Sequence, residues 1–87
     1  MKTSQVRFVQ LQKLFGEMGF SEARDKDGWR FEHVPSNTVS LFRPYRPTDR
    51  VYEHDLVLVR SQLHGRGLMT EEAFNESLTK TPAGRRA

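Results

Sequence analysis

Apolar residues near the start of the chain recur at helical spacing. Phe8, Leu11, Phe15 and Met18 hold an i, i+3, i+7, i+10 stripe with Val6, Val9 and Leu14 beside it. Gln5, Arg7, Gln10, Gln12, Lys13 and Glu17 fall mostly on the other side. The pattern predicts a first helix capped by Thr3 or Ser4 and stopped at Gly19, after which Phe20 folds back onto the last turn. Beyond it the period changes to two. Phe20 to Arg24 reads as a short strand, Asp25-Lys26-Asp27-Gly28 as a turn, and Trp29, Phe31 and His33 alternate with Arg30, Glu32 and Val34 as one covered face of a second strand. Val34-Pro35-Ser36-Asn37 interrupts, and Thr38 to Phe42 supplies a third run of high β propensity.

The two prolines of Pro44-Tyr45-Arg46-Pro47-Thr48-Asp49-Arg50-Val51-Tyr52 predict an unpaired linker. Glu53 to His64 keeps helical spacing through Leu56, Val59 and Leu63, with Asp55 or an earlier residue as cap and Gly65 and Gly67 as stops. Thr70 caps a last, short helix whose buried pair is Phe74 and Leu78. The expected architecture is α+β: helix, three-stranded antiparallel sheet, helix, short helix, with the helices on one face. Phe8, Leu11, Phe15, Phe31, Leu56, Val59, Leu63 and Phe74 are the expected core. Residues 1–78 form one domain and residues 79–87 a flexible basic tail.

Composition changes this picture in only a few ways. With 87 residues the chain has room for a single layer of helices on a sheet. It has no cysteine, so no disulfide or thiolate metal site staples it. No apolar run has the length of a membrane span and no signal peptide opens the sequence, so a cytoplasmic location without a membrane partner is expected. The net charge of +3 is concentrated in Lys80, Arg85 and Arg86; without them bases and acids balance, so bulk charge alone does not specify a nucleic-acid partner.

Candidate chemistry is sparse. His33, His54 and His64 lack a His-Glu-x-x-His or cysteine-assisted pattern, so no metal and no other cofactor is expected. His33, in the central strand, is the best-placed general base. Arg43, Arg46 and Arg50 interleave with Tyr45 and Tyr52, a pattern suited to a phosphate backbone and unstacked bases, or else to a solvated connection with half-buried tyrosines.

Three stretches carry a family likeness in the right order: Phe15-Gly16-Glu17-Met18-Gly19-Phe20, Phe31-Glu32-His33-Val34-Pro35, and Gly67-Leu68-Met69-Thr70-Glu71-Glu72-Ala73-Phe74. Over residues 4–78 the chain resembles the HicA-type toxins, small mRNA interferases. The resemblance implies a double-stranded-RNA-binding-like fold, RNA as ligand and a HicB-type antitoxin as protein partner covering the same surface. The family's Gly-Ser-His signature, whose His is catalytic, falls here on Lys26, Asp27 and Gly28, with Trp29 next, so no imidazole stands there. The linker is also longer than is usual for the family. The expectation is therefore an RNA-binding domain whose interferase activity is lost or altered, with Lys26, Trp29 and Arg30 on the hairpin and Arg43, Arg46 and Arg50 around the linker as its contact surface. Two other readings stay open: an active ribonuclease using His33, and a protein-interaction module using Trp29 and the exposed sheet face.

Overall fold

The structure is a computed structural model, and it describes residues 2–80. Its elements are β1 (Thr3–Arg7), α1 (Phe8–Glu17), β2 (Ser21–Asp25), β3 (Gly28–His33), β4 (Thr38–Phe42), β5 (Arg50–Tyr52), α2 (Glu53–Gly65) and α3 (Glu71–Lys80). The α+β class, the three-stranded meander and the three main helices agree with the sequence. The strands pair antiparallel in the order β2-β3-β4, with Phe31 opposite Glu22 and Ser40, and Trp29 opposite Arg24 and Phe42.

Two expectations are corrected. Thr3 to Arg7 does not open the first helix, and the linker is not unpaired to its end: β1 and β5 form a second, two-stranded antiparallel sheet, with Thr3 opposite Tyr52 and Arg7 opposite Arg50. Ser4 Oγ, expected as a helix cap, instead donates to Val51 O at 2.8 Å. The prolines lie before Arg50, so none has to supply an N–H to the ladder. The helix begins only at Phe8, where Arg7 is extended (φ −90°, ψ 151°) and donates its N–H to Gln10 Oε1 at 2.9 Å. The first helical N–H groups, which have no partner inside the helix, donate to the linker: Phe8 N to Asp49 O at 2.8 Å and Val9 N to Pro47 O at 3.0 Å. The linker is thus fastened to the start of α1.

The helix ends follow the glycines. Gly19 takes φ +89° and Phe20 N–H returns to Phe15 O at 2.9 Å, with the two rings 4.8 Å apart. Gly67 (φ +70°) ends α2 in the same way, Leu68 N–H bonding Leu63 O. Thr70 Oγ1 caps α3 by accepting Ala73 N–H at 3.0 Å. The short 3-10 turn Val34–Ser36 closes on Asn37 in the left-handed region, which asparagine tolerates. α3 runs to Lys80; the rest of the expected basic tail, residues 81–87, lies outside the described residues.

The core lies between α1 and one face of the three-stranded sheet, closed by α2 and α3. Phe8 and Phe15 meet Phe31 and Phe42, with Phe15 and Phe31 stacked at 4.5 Å. Leu11, Val51, Leu63 and Phe74 are fully buried with them. Leu56 is only partly buried, packed against the core rather than inside it. Phe31, Phe42, Thr38 and Ser40 are buried, whereas Arg30 and Leu41, on the opposite face, are exposed. The helices therefore cover one face and leave the other bare. Among the described residues no helix is long and apolar enough to cross a membrane.

Candidate nucleic-acid interface

The end of β4, the linker and the start of α2 converge on one carboxylate. The cap position of α2 falls on Tyr52, the earlier of the expected alternatives, and Asp55, in the first turn, is buried. It receives two bonds from Arg43, Nε to Oδ2 at 2.9 Å and Nη2 to Oδ1 at 3.1 Å, and a third from the Tyr45 hydroxyl. That hydroxyl also accepts Tyr52 N–H at 3.0 Å, and Tyr45 O accepts Trp29 Nε1–H at 2.9 Å. The Arg43 guanidinium lies over the Tyr52 ring, 4.7 Å from its centroid. Burial pushes the Asp55 carboxyl up, but the bonds from Arg43 and Tyr45 outweigh it and hold the group below the usual carboxylate range. Burial, reinforced by the bond to Asp55, pushes the Tyr45 phenol up to about 12.

Around this anchor lies an open cleft of about 420 Å³. Arg43, Arg50, Tyr45 and Tyr52 line it together with Thr3, Pro44 and Asp49. The side chain of Arg50 makes no hydrogen bond or ion pair with a described residue. Arg46 is held in place by Asp49, which accepts its backbone N–H at 2.8 Å and pairs with its guanidinium at 3.3 Å, yet the Arg46 side chain stays 80% exposed. Arg7, opposite Arg50 in the ribbon, donates to Thr48 O at 2.6 Å and brings one more cation to the linker.

Of the sequence-predicted residues, then, Arg43, Arg46 and Arg50 come together. Lys26 is exposed at the β2–β3 turn, at the same end of the sheet. Arg30 points from the bare face and pairs loosely with Glu32 at 3.8 Å. Trp29 is half-buried, with Phe8 at 5.2 Å and the Arg24 guanidinium 5.2 Å from its ring, so its indole is occupied inside the protein. His33 sits on the covered face at the far end of β3 from Trp29. Its ring stacks on Phe20 at 5.0 Å, and its Nδ1 pairs with Ser36 Oγ at 2.7 Å. The residue opposite it, Thr38, stands at one end of β4 and Phe42, next to Arg43, at the other, a separation of roughly 13 Å. No histidine lines the cleft.

The sequence reading missed Asp55, Asp49, Thr3 and Arg7. The first two carry a signal only in hindsight, as acids among arginines; the β1 residues have none without the pairing to β5. Among the described residues no group of three or more histidine or acidic side chains could hold a metal ion. No protein-family model matches the chain, nor does any curated protein or solved structure.

Proposed function

We propose that the chain is a HicA-like, double-stranded-RNA-binding-like domain that binds RNA through the linker cleft, its interferase activity lost or altered. The element order α1-β2-β3-β4-α2 and the three motif stretches support the likeness. The observation that carries the reading is the grouping of Arg43, Arg50, Tyr45 and Tyr52 in one open cleft with Arg46 on its rim. Arg50 and Arg46 supply the exposed positive charge that phosphates neutralise, while Arg43, already committed to Asp55, shapes the site. Tyr52 carries one ring face covered by Arg43, a stack onto which a base can extend. Of the hairpin residues, Lys26 adds charge at the margin, and Trp29 acts through packing. A HicB-type antitoxin is the protein partner of this reading, and its place of action is the cytoplasm.

The test is the salt dependence of binding to labelled single-stranded RNA. Arg46→Ala with Arg50→Ala should weaken binding by a similar factor for unrelated sequences and lower the slope against log salt by about 0.7 per lost contact. Removing residues 81–87 is the control, since those residues carry charge of their own. Undiminished binding by the double variant, with binding abolished by the truncation, refutes the cleft as the site.

A further inference from the structure

β2 lies at the edge of its sheet, and its residues, Ser21 to Asp25, are all exposed. The direction of its backbone groups follows from the register. Gln62 Nε2–H donates to Val39 O at 2.8 Å, so Val39 faces away from β3 and Ser40 faces it. Carried across the sheet, this alternation turns Ala23 toward Arg30 and leaves the N–H and C=O of Glu22 and Arg24 pointing outward. The opposite edge is guarded, because Gln62 of α2 also accepts the Ser40 hydroxyl there. Among the described residues no strand pairs with the outer edge of β2, and such a row of open groups is a template for another strand. Charges on an edge ordinarily keep strands apart, but these two are opposite in sign and two residues apart. Both stand on the helix-covered side, where Glu22 meets Gln12 at 3.3 Å and Arg24 lies over Trp29. Neither forms an ion pair with a described residue.

We propose that β2 pairs antiparallel with β2 of a second copy of this chain, about a two-fold axis at Ala23. Glu22 then stands opposite the partner's Arg24, and Arg24 opposite the partner's Glu22. The outward N–H and C=O groups of each such pair exchange both ladder bonds, and the two side chains form an ion pair on one face. Ala23 meets the partner's Ala23 in the close pairing without ladder bonds, where a methyl group fits. Charge fixes the register. Sliding by two residues sets Glu22 against the partner's Glu22, or Arg24 against the partner's Arg24. Sliding by one sets open groups against groups already bonded to β3. A parallel copy in register also opposes like charges. The two meanders become one continuous sheet, and the linker cleft shares no residue with the joining edge.

The test is sedimentation equilibrium of the full chain, freed of nucleic acid. A contact along one edge is small, so the average mass should climb from one chain toward two between about 10 μM and 1 mM. Glu22→Arg and Arg24→Glu each set like charges opposite one another and should weaken dimerisation about tenfold. The double variant Glu22→Arg with Arg24→Glu restores both ion pairs and should dimerise like the wild type. Cross-linking gives a second readout in a chain that has no cysteine of its own. Ala23→Cys should close a disulfide with its copy on mild oxidation, since the close pairing holds the Cα atoms about 4.5 Å apart. Ser21→Cys, which stands opposite the partner's Asp25, should stay uncrosslinked. A single-chain mass at every concentration overturns the second copy and leaves the edge to a strand of another protein. Dimers unchanged in both charge reversals, or a double variant as weak as the single ones, overturn the pairing; equal cross-linking of the two cysteine variants overturns its register.

Discussion

Arg43 and Asp55 form a two-pronged ion pair, at 2.9 and 3.1 Å, that ties the end of β4 to the first turn of α2. The Asp55 side chain is 11% exposed and that of Arg43 42%, so the pair is buried from one side only. Tyr45 completes it and carries the tie on to Tyr52 and Trp29. Asp55→Ala therefore strands a guanidinium and a buried hydroxyl together, and should cost about 2–4 kcal/mol in denaturant unfolding. Arg43→Ala should cost less, because Tyr45 still satisfies Asp55. Equal losses in both variants would show that the network does not act through the carboxylate.

The same network sets two limits of pH stability. Asp55 titrates lower in the folded chain than in the unfolded one, so its contribution is complete above the unfolded value of about 3.9 and is lost as pH falls through the folded value. Tyr45 behaves oppositely: with its folded value at about 12, its contribution is complete below the unfolded value of about 10 and is lost as pH rises toward 12. Unfolding followed from neutral pH upward should lose on the order of 2 kcal/mol across that alkaline window, and Tyr45→Phe should flatten the loss. A Tyr45→Phe profile that still falls as steeply would assign the alkaline loss to other groups.

Gly28 permits no side chain. Its φ is +145°, and a Cβ built there would stand 1.9 Å from Phe42 O. That carbonyl belongs to the neighbouring strand and cannot move without breaking the β3–β4 pairing beside Trp29 and Phe42. Gly28→Ala should destabilise the domain by about 2 kcal/mol or more, and Gly28→His, which the proposed HicA likeness would suggest as a restoring change, should do worse rather than create an active site. Circular dichroism and thermal unfolding of the alanine variant check this; a wild-type melting temperature would contradict the close approach.

What was legible in the sequence is what local chemistry decides. The α1 stripe, the Asp25–Gly28 turn, the alternation around Phe31 and the stop at Gly19 each carry their signal within a few residues, and all four hold. The β1–β5 ribbon was not legible, because Ser4 and Val51 meet across 47 positions and neither strand is long enough to announce itself. At the linker, composition pointed to Arg43, Arg46 and Arg50, but not to their differing states. Arg43 is held by a carboxylate twelve residues on, Arg46 by its own turn, and Arg50 by nothing described. Trp29 was placed on the covered face and also among the RNA contacts, because alternation gives a side chain's face and not what covers it; Phe8 and Arg24 cover it.

Leu63 is fully buried between α2 and the core, whereas Leu41 is 71% exposed on the bare sheet face. Leu11→Ala or Leu63→Ala should each cost about 2–5 kcal/mol, a large share of what a domain this small possesses. Leu41→Ser should stay within about 0.5 kcal/mol, since no apolar contact is lost to a cavity. Chemical denaturation of the three variants separates the two faces, and a costly Leu41→Ser would mean that the bare face is covered in solution.

The last prediction concerns cleavage. Hydrolysis of an RNA backbone through its 2′-hydroxyl needs a positioned base, and such groups typically contribute about 10²–10⁴-fold. The cleft has no free one: no histidine lines it, Asp49 in its wall is held by Arg46, and Asp55 beside it is engaged by Arg43 and Tyr45. His33, the alternative base, stacks on Phe20, holds Ser36 through Nδ1 and stands at the opposite end of the sheet from the arginines. Wild type and His33→Ala, incubated with a labelled single-stranded RNA across pH 5 to 8, should therefore leave it equally uncut while both still bind it. Losing the Phe20 stack and the Ser36 bond should lower the melting temperature of His33→Ala, so its fold is verified before its activity is read. Robust cleavage by the wild type that vanishes in a folded His33→Ala would make His33 the base after all, and would return the chain to the ribonucleases.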